Sequence, residues 1–295
     1  MNDELILRQS HVGASPYAVA LSPGGHRAYV SNWGAASVSV LDTATGATEG
    51  LIKVGEHPSA LLINRTRGEL YVADTDSDQL SVIDLRRRAV SRTVELAPYR
   101  HAPVGSNPNA LALAPDGGTL HLADADAGAD DVDVIRHART NSGRGRSRDV
   151  IAGRIPTGWY PTGVEVSRDG RTIYVANAKG LGAGPNPNGP NPYTDALRRP
   201  SDEFAAQYVG SMIKGTMSII RTPDADTLER DTAQVARNKP LPRRRRPHRH
   251  PRTAGRLGGA APRRPQPDQT RHRRGEREPH LRPGPRQPRS LMPVS

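Results

Sequence analysis

The sequence contains no cysteine, a single phenylalanine (Phe204) and only 4% aromatic residues in 295. The missing cysteine excludes a disulfide scaffold, a thiolate metal centre and a cysteine nucleophile, but it does not fix the compartment. Apolar residues make up only 35% of the chain, low for an ordinary globular domain. No stretch approaches the roughly 18 consecutive apolar residues of a membrane span. The opening stretch, MNDELILRQSHVGAS, carries Asp3 and Glu4 and lacks the apolar core of a signal peptide. As written, the chain is therefore expected to stay in the cytoplasm. Neither G-x-S-x-G nor H-E-x-x-H occurs, so no hydrolase motif is present.

What the chain does have is glycine (29), proline (27) and a formal charge of +12. The charge is unevenly spread. From Lys239 onward there are 17 basic residues against three acids, whereas residues 1–238 carry 25 basic and 27 acidic residues. The high isoelectric point thus belongs to the tail and says nothing about what the body binds.

The body repeats itself. Four units begin at Pro16, Pro58, Pro108 and Pro161, with starts 42, 50 and 53 residues apart. AVALS, RAYVSN, SVSVLD and GLIKVG in the first unit read as four short strands, separated by Gly-rich or Thr/Gly turns. The runs are too short for useful helices. Four strands per unit of about forty residues predicts an all-β fold, a β-propeller of four-stranded antiparallel blades. In such a meander the loop between the second and third strands shares a face with the linker into the next blade. That face is expected to collect Asn32, Trp33, Asp74, Asp76 and Asn177 from the inner loops, and His57, Asn107, Trp159 and Tyr160 from the linkers. These nine residues are the candidate ligand face.

AYVSN, LYVAD and IYVAN, each followed by SVIDxxTG-like text, resemble the YVTN-type (YncE-like) β-propeller repeat over residues 12–222. The stretch IPTGWYPTGV to QYVGSMIKGTMSII further resembles the last blades of bacterial proteins in which such a propeller precedes an alkaline-phosphatase-like phosphoesterase domain. That resemblance implies an exported protein with a seven-bladed propeller. This chain departs from it: the expectation is four to five blades, an incomplete ring, and no counterpart of the phosphoesterase domain. Residues 1–15 read as the last strand and linker of an earlier blade. The expected organisation is blades over 1–222, a short helical linker over 223–238 and a disordered tail over 239–295.

The tail has no isoleucine, no aromatic residue and twelve prolines, so it cannot bury enough apolar surface to offset chain entropy. Arg243–Arg246 could contact phosphates, but no aromatic residues are interleaved for base stacking. Nonspecific nucleic-acid binding is therefore not the preferred role. The Arg/Pro/Gly/Ala mixture is that of GC-rich coding sequence read out of frame, and a frameshift is the favoured expectation.

Metal and cofactor motifs fail on inspection. Asp74, Asp76 and Asp78 have EF-hand-like spacing, but Gln79 and Leu85 stand where the calcium loop needs Gly and Glu. KGLGAGPNPNGPNPY lacks the GK[ST] ending of a phosphate loop. The expectation is no cofactor, no metal and no catalytic residue. The leading reading is a noncatalytic binding or scaffold module of unknown ligand, with self-association through open blade edges. The alternatives are the propeller part of an exported phosphoesterase and a lactonase-like propeller enzyme.

Overall fold

The structure, a computed structural model, describes residues 8–97, 104–124, 130–138, 148–180 and 213–238. The basic tail and the Gly/Pro/Asn stretch after Gly180 lie outside the described residues. Blade 1 comprises β1 (Pro16–Leu21), β2 (Arg27–Asn32), β3 (Ser37–Asp42) and β4 (Thr48–Lys53). Blade 2 comprises β5 (Pro58–Asn64), β6 (Glu69–Asp74), β7 (Gln79–Asp84) and β8 (Ala89–Glu95). Blade 3 comprises β9 (Pro108–Leu113), β10 (Thr119–Asp124), β11 (Asp131–Ala138) and β12 (Arg148–Pro156). Blade 4 has three described strands, β13 (Trp159–Val166), β14 (Thr172–Gly180) and β15 (Thr216–Arg221). Every sheet is an antiparallel meander. The all-β propeller expectation holds, with four sheets among the described residues.

The repeat is stricter than its spacing suggests. From the opening proline to a polar residue of the second strand, each blade runs 17 residues, reaching Asn32, Asp74, Asp124 and Asn177; the first three of these close their strands. Each blade carries a register shift near the start of its first strand. That is where a proline, lacking an amide hydrogen, can begin a strand without breaking the ladder. The insertions that stretch the unit from 42 to 53 residues fall after this block.

The first strands lie side by side in the order β1, β5, β9, β13. Apolar cores form between successive blades because alternate residues of each strand point to opposite neighbours. Tyr29, Val38 and Val40 of blade 1 pack on Leu70, Val72 and Ile83 of blade 2. Tyr71, Leu80 and Val82 continue onto Leu120, Leu122 and Ile135 of blade 3. Ala123, Val132 and Val134 then meet Val164, Ile173 and Val175 of blade 4.

The N-terminal segment departs from the strand-by-strand expectation. Residues 8–15 form no strand; Thr48 Oγ1 donates to the His11 carbonyl at 2.7 Å as this segment passes blade 1. Residues 225–238 form a helix, α1 (Ala225–Asn238), with Asp224 Oδ1 accepting from the Thr227 amide at 2.8 Å as its cap. It packs on β12 of blade 3. Leu228 enters the core between blades 3 and 4, and a side chain at Gly153 would lie 2.5 Å from Leu228 Cγ. Glycine at 153 therefore lets the helix seat.

Candidate ligand site

The site is built from a motif that recurs four times as Gly-x-x-Pro: Gly13 to Pro16, Gly55 to Pro58, Gly105 to Pro108 and Gly158 to Pro161. The residue before each proline adopts a left-handed backbone: Ser15, His57, Asn107 and Tyr160 have φ of 52, 50, 50 and 60°. Such a conformation costs a non-glycine residue roughly 1–2 kcal/mol. Glycine would relieve that cost at each position, yet all four carry side chains. The backbone is held from both sides, its carbonyls by the blade it enters and its amides by the blade before it. Trp33 N donates to Ser15 O at 2.9 Å and Thr75 N to His57 O at 3.2 Å. Asp78 accepts from the amides of Gly105 (2.8 Å) and Ser106 (2.7 Å), and Asp130 from that of Tyr160 (2.8 Å).

The motif's glycine is needed for close approach. A side chain at Gly13, Gly55 or Gly158 would come within 2.5, 2.6 or 2.9 Å of Asn32, Asp74 or Asn177 respectively. These three partners were expected on the ligand face. They are instead buried inside their blades, at 0, 0 and 1% exposure. Asn32 Nδ2 donates to Ser37 Oγ (3.0 Å) and Ser39 Oγ (2.9 Å), and Asn177 Nδ2 to Ser218 Oγ (2.9 Å). Asp74 Oδ2 accepts from Ser81 Oγ at 2.6 Å. Burial raises the Asp74 carboxyl to about 6, against the opposing Ser81 and Gly55 hydrogen bonds. The closing residue of YVSN, LYVAD and IYVAN thus pins the second strand to the third and seats the incoming linker.

The acidic stretch ADTDSDQ divides its labour in the same way. Asp74 is buried, Asp78 anchors the next linker, and Asp76 pairs with His57 Nδ1 at the surface. The three carboxylates do not converge.

The remaining expected residues surround the site. A cavity of about 390 Å³ is lined by Tyr17, Trp33, Asp76, Asn107 and Tyr160, with Ser59 and Thr75 among the hydroxyls, so all four blades contribute. The His57 ring stacks on Trp33 with centroids 3.9 Å apart, and Lys179 Nζ sits 4.1 Å from the Tyr160 ring centroid. Trp159 is exposed at 57% and is not among the lining residues. Tyr17, Ser59 and Thr75 follow the proline or open the inner loop. Their alignment next to the Gly-x-x-Pro motif is the signal that would have found them.

Blade 3 carries a different polar group. Where the other blades have Ser37/Ser39, Gln79/Ser81 and Thr216/Ser218 on the third strand, it has Asp131 and Asp133, beside Asp124. The three are buried, with ligand oxygens within 4.8 Å of one another, a donor set suited to a hard cation. Arg154 Nε already donates to Asp133 Oδ1 at 2.6 Å, neutralising part of this charge.

No family model matches the chain. Uncharacterized protein YncE of Salmonella typhimurium is 37% identical over 106 residues, which span 36% of this chain and 27% of that protein. Uncharacterized protein YncE of Salmonella typhi matches to the same extent. The chain thus spans about a quarter of the length of these curated relatives. Among solved structures, the Pseudomonas aeruginosa periplasmic gluconolactonase PpgL has a TM-score of 0.49 and 21% identity, covering 58% of this chain and 52% of that one. Kuenenia stuttgartiensis hydrazine synthase has a TM-score of 0.44 and 26% identity, covering 58% and 45%.

Proposed function

We propose that this chain, built of YncE-like β-propeller repeats, is a noncatalytic binding module that takes a small, neutral, hydroxyl-rich ring ligand at this site. One observation carries the reading: two strained left-handed linker residues, Asn107 and Tyr160, line a single cavity and present side chains there rather than glycine. Backbone strain of this kind persists where the surrounding structure enforces it, and it concentrates at ligand sites. The lining supports the ligand class. Trp33, Tyr17 and Tyr160 offer flat faces, while Ser59, Thr75 and Asn107 offer neutral donors and acceptors. Asp76, the one carboxylate in the lining, is already hydrogen-bonded to His57. A volume of 390 Å³ lies at the lower end of the range for small-molecule sites, which suits a mono- or disaccharide.

The two tryptophans make the test direct, since Trp33 lines the cavity and Trp159 does not. In a Trp159→Phe variant, Trp33 emission is expected to change saturably with at least one member of a panel of neutral mono- and disaccharides. Asn107→Ala and Tyr160→Ala should weaken that binding about tenfold or more. A panel without a saturable response up to about 10 mM would refute the ligand class. Turnover of a phosphate ester or a lactone by the purified chain would refute the noncatalytic role.

A further inference from the structure

The structure assigns a second copy of this chain as the partner of its two end faces, with blade 1 of one copy stacking on blade 4 of the other. Position-by-position comparison of the blades carries the inference. In blade 4, Val164, Ile173 and Val175 face blade 3 and are 4, 0 and 0% exposed. Val19 holds the position of Val164 in blade 1, and there it is 66% exposed, beside Tyr17 (65%), Leu21 (55%) and Leu51 (62%). The reverse holds on the opposite face. Tyr29, Val38 and Val40 of blade 1 face blade 2 and are 1, 0 and 1% exposed. Their counterparts in blade 4, Tyr174, Met217 and Ile219, are 38, 62 and 65% exposed.

Those two sets account for seven of the eleven exposed large apolar residues among the described ones, so the open apolar surface is concentrated rather than scattered. The two faces are also of opposite kind. Blade 1 presents the surface that blades 2, 3 and 4 turn toward their predecessors, and blade 4 presents the surface that blades 1, 2 and 3 turn toward their successors. Each matches the other and not itself. A head-to-tail contact between copies therefore repeats an interface that the chain already forms three times internally. Such a contact is heterologous, so it closes into a ring or extends, depending on the angle it sets.

The test uses the full chain in sedimentation velocity over a concentration series. The wild-type chain should self-associate into species of two or more copies. Val19→Glu, which spoils the blade 1 face, and Ile219→Glu, which spoils the blade 4 face, should each weaken self-association about tenfold or more. Mixing the two variants should restore a one-to-one complex, because each retains the face that the other lacks. Circular dichroism checks that the sheets survive; if a Glu variant loses them, Val19→Ser and Ile219→Ser take its place. A wild-type chain that stays monomeric at its highest soluble concentration overturns the inference. So does self-association that both variants leave unchanged, or a mixture that fails to pair.

Discussion

Asp74→Asn should stabilise the protein at neutral pH, although it removes a carboxylate that accepts a 2.6 Å hydrogen bond from Ser81. Blades 1 and 4 place asparagine at the same position, where Asn32 and Asn177 donate to the equivalent serines. At Asp74 the carboxyl is fully buried and burial lifts it from 3.8 to about 6. A shift of this size corresponds to about 3 kcal/mol of disfavour for the ionised form. The folded pKa lies above the unfolded value. The associated stability is therefore fully present below about pH 4 and is lost as pH rises through about 6. An asparagine has no such loss. Ser81 must turn from donor to acceptor, and the amide must find the geometry seen at Asn32, which offsets on the order of 1 kcal/mol. The expected net gain is about 1–3 kcal/mol at pH 7–8, shrinking toward zero or below near pH 4. Urea unfolding of both proteins at pH 4, 5, 6 and 7.5 measures it. A variant less stable than wild type at pH 7.5, or a difference that ignores pH, would refute the reasoning.

Two further substitutions probe the outer and inter-blade contacts. His121 holds the position of Tyr29, Tyr71 and Tyr174, and a cavity of about 340 Å³ opens beside it between blades 3 and 4. His121→Tyr should fill part of that space, remove a buried Nδ1 that lacks a partner and raise stability by about 1–2 kcal/mol at pH 7. Because burial lowers His121 to about 4, wild-type stability from this site is present above about pH 6.5 and lost as pH falls through about 4. The tyrosine variant should not show that loss, as thermal melts from pH 4 to 7 would reveal. On blade 2, burial opposes ionisation of Glu69, but the Arg92 and Arg67 hydrogen bonds outweigh it and hold the carboxyl at about 2. Glu69→Gln should cost about 1–3 kcal/mol at pH 7, and the cost should fade as pH falls from 4.5 toward 2, where the wild-type carboxylate protonates. A cost that persists unchanged at pH 2.5 in denaturant titrations would show that the carboxylate's charge is not what matters.

The blades were legible because their information is local. Strands of six to nine residues, turns with glycine at φ of 72, 65 and 70° (Gly25, Gly117, Gly170), and a proline opening each unit all write themselves into neighbouring residues. The burial of Asn32, Asp74 and Asn177 was not legible in the same way. A polar residue where a strand meets a loop reads as surface, and only its serine partner across the ladder and the glycine of the incoming linker show otherwise. The serine is seven residues on in blades 1 and 2 but 41 on in blade 4, and the glycine belongs to the preceding linker. Asp76, Asn107 and Tyr160 line one cavity, and His57 stacks on Trp33, because the meander alone decides which end of a blade a loop occupies. The helix was readable from its own residues, whereas its seat on β12 depends on Gly153, more than seventy residues before it.

The Gly-x-x-Pro linkers are gripped by their main chain, with carbonyls bonded to the blade they enter and amides to the blade before. Ser15, His57, Asn107 and Tyr160 therefore behave as four sockets of fixed geometry whose contents can be exchanged one at a time. A lineage, or a protein engineer, could retune what the site recognises by swapping single residues there while the frame of the molecule stays as it is.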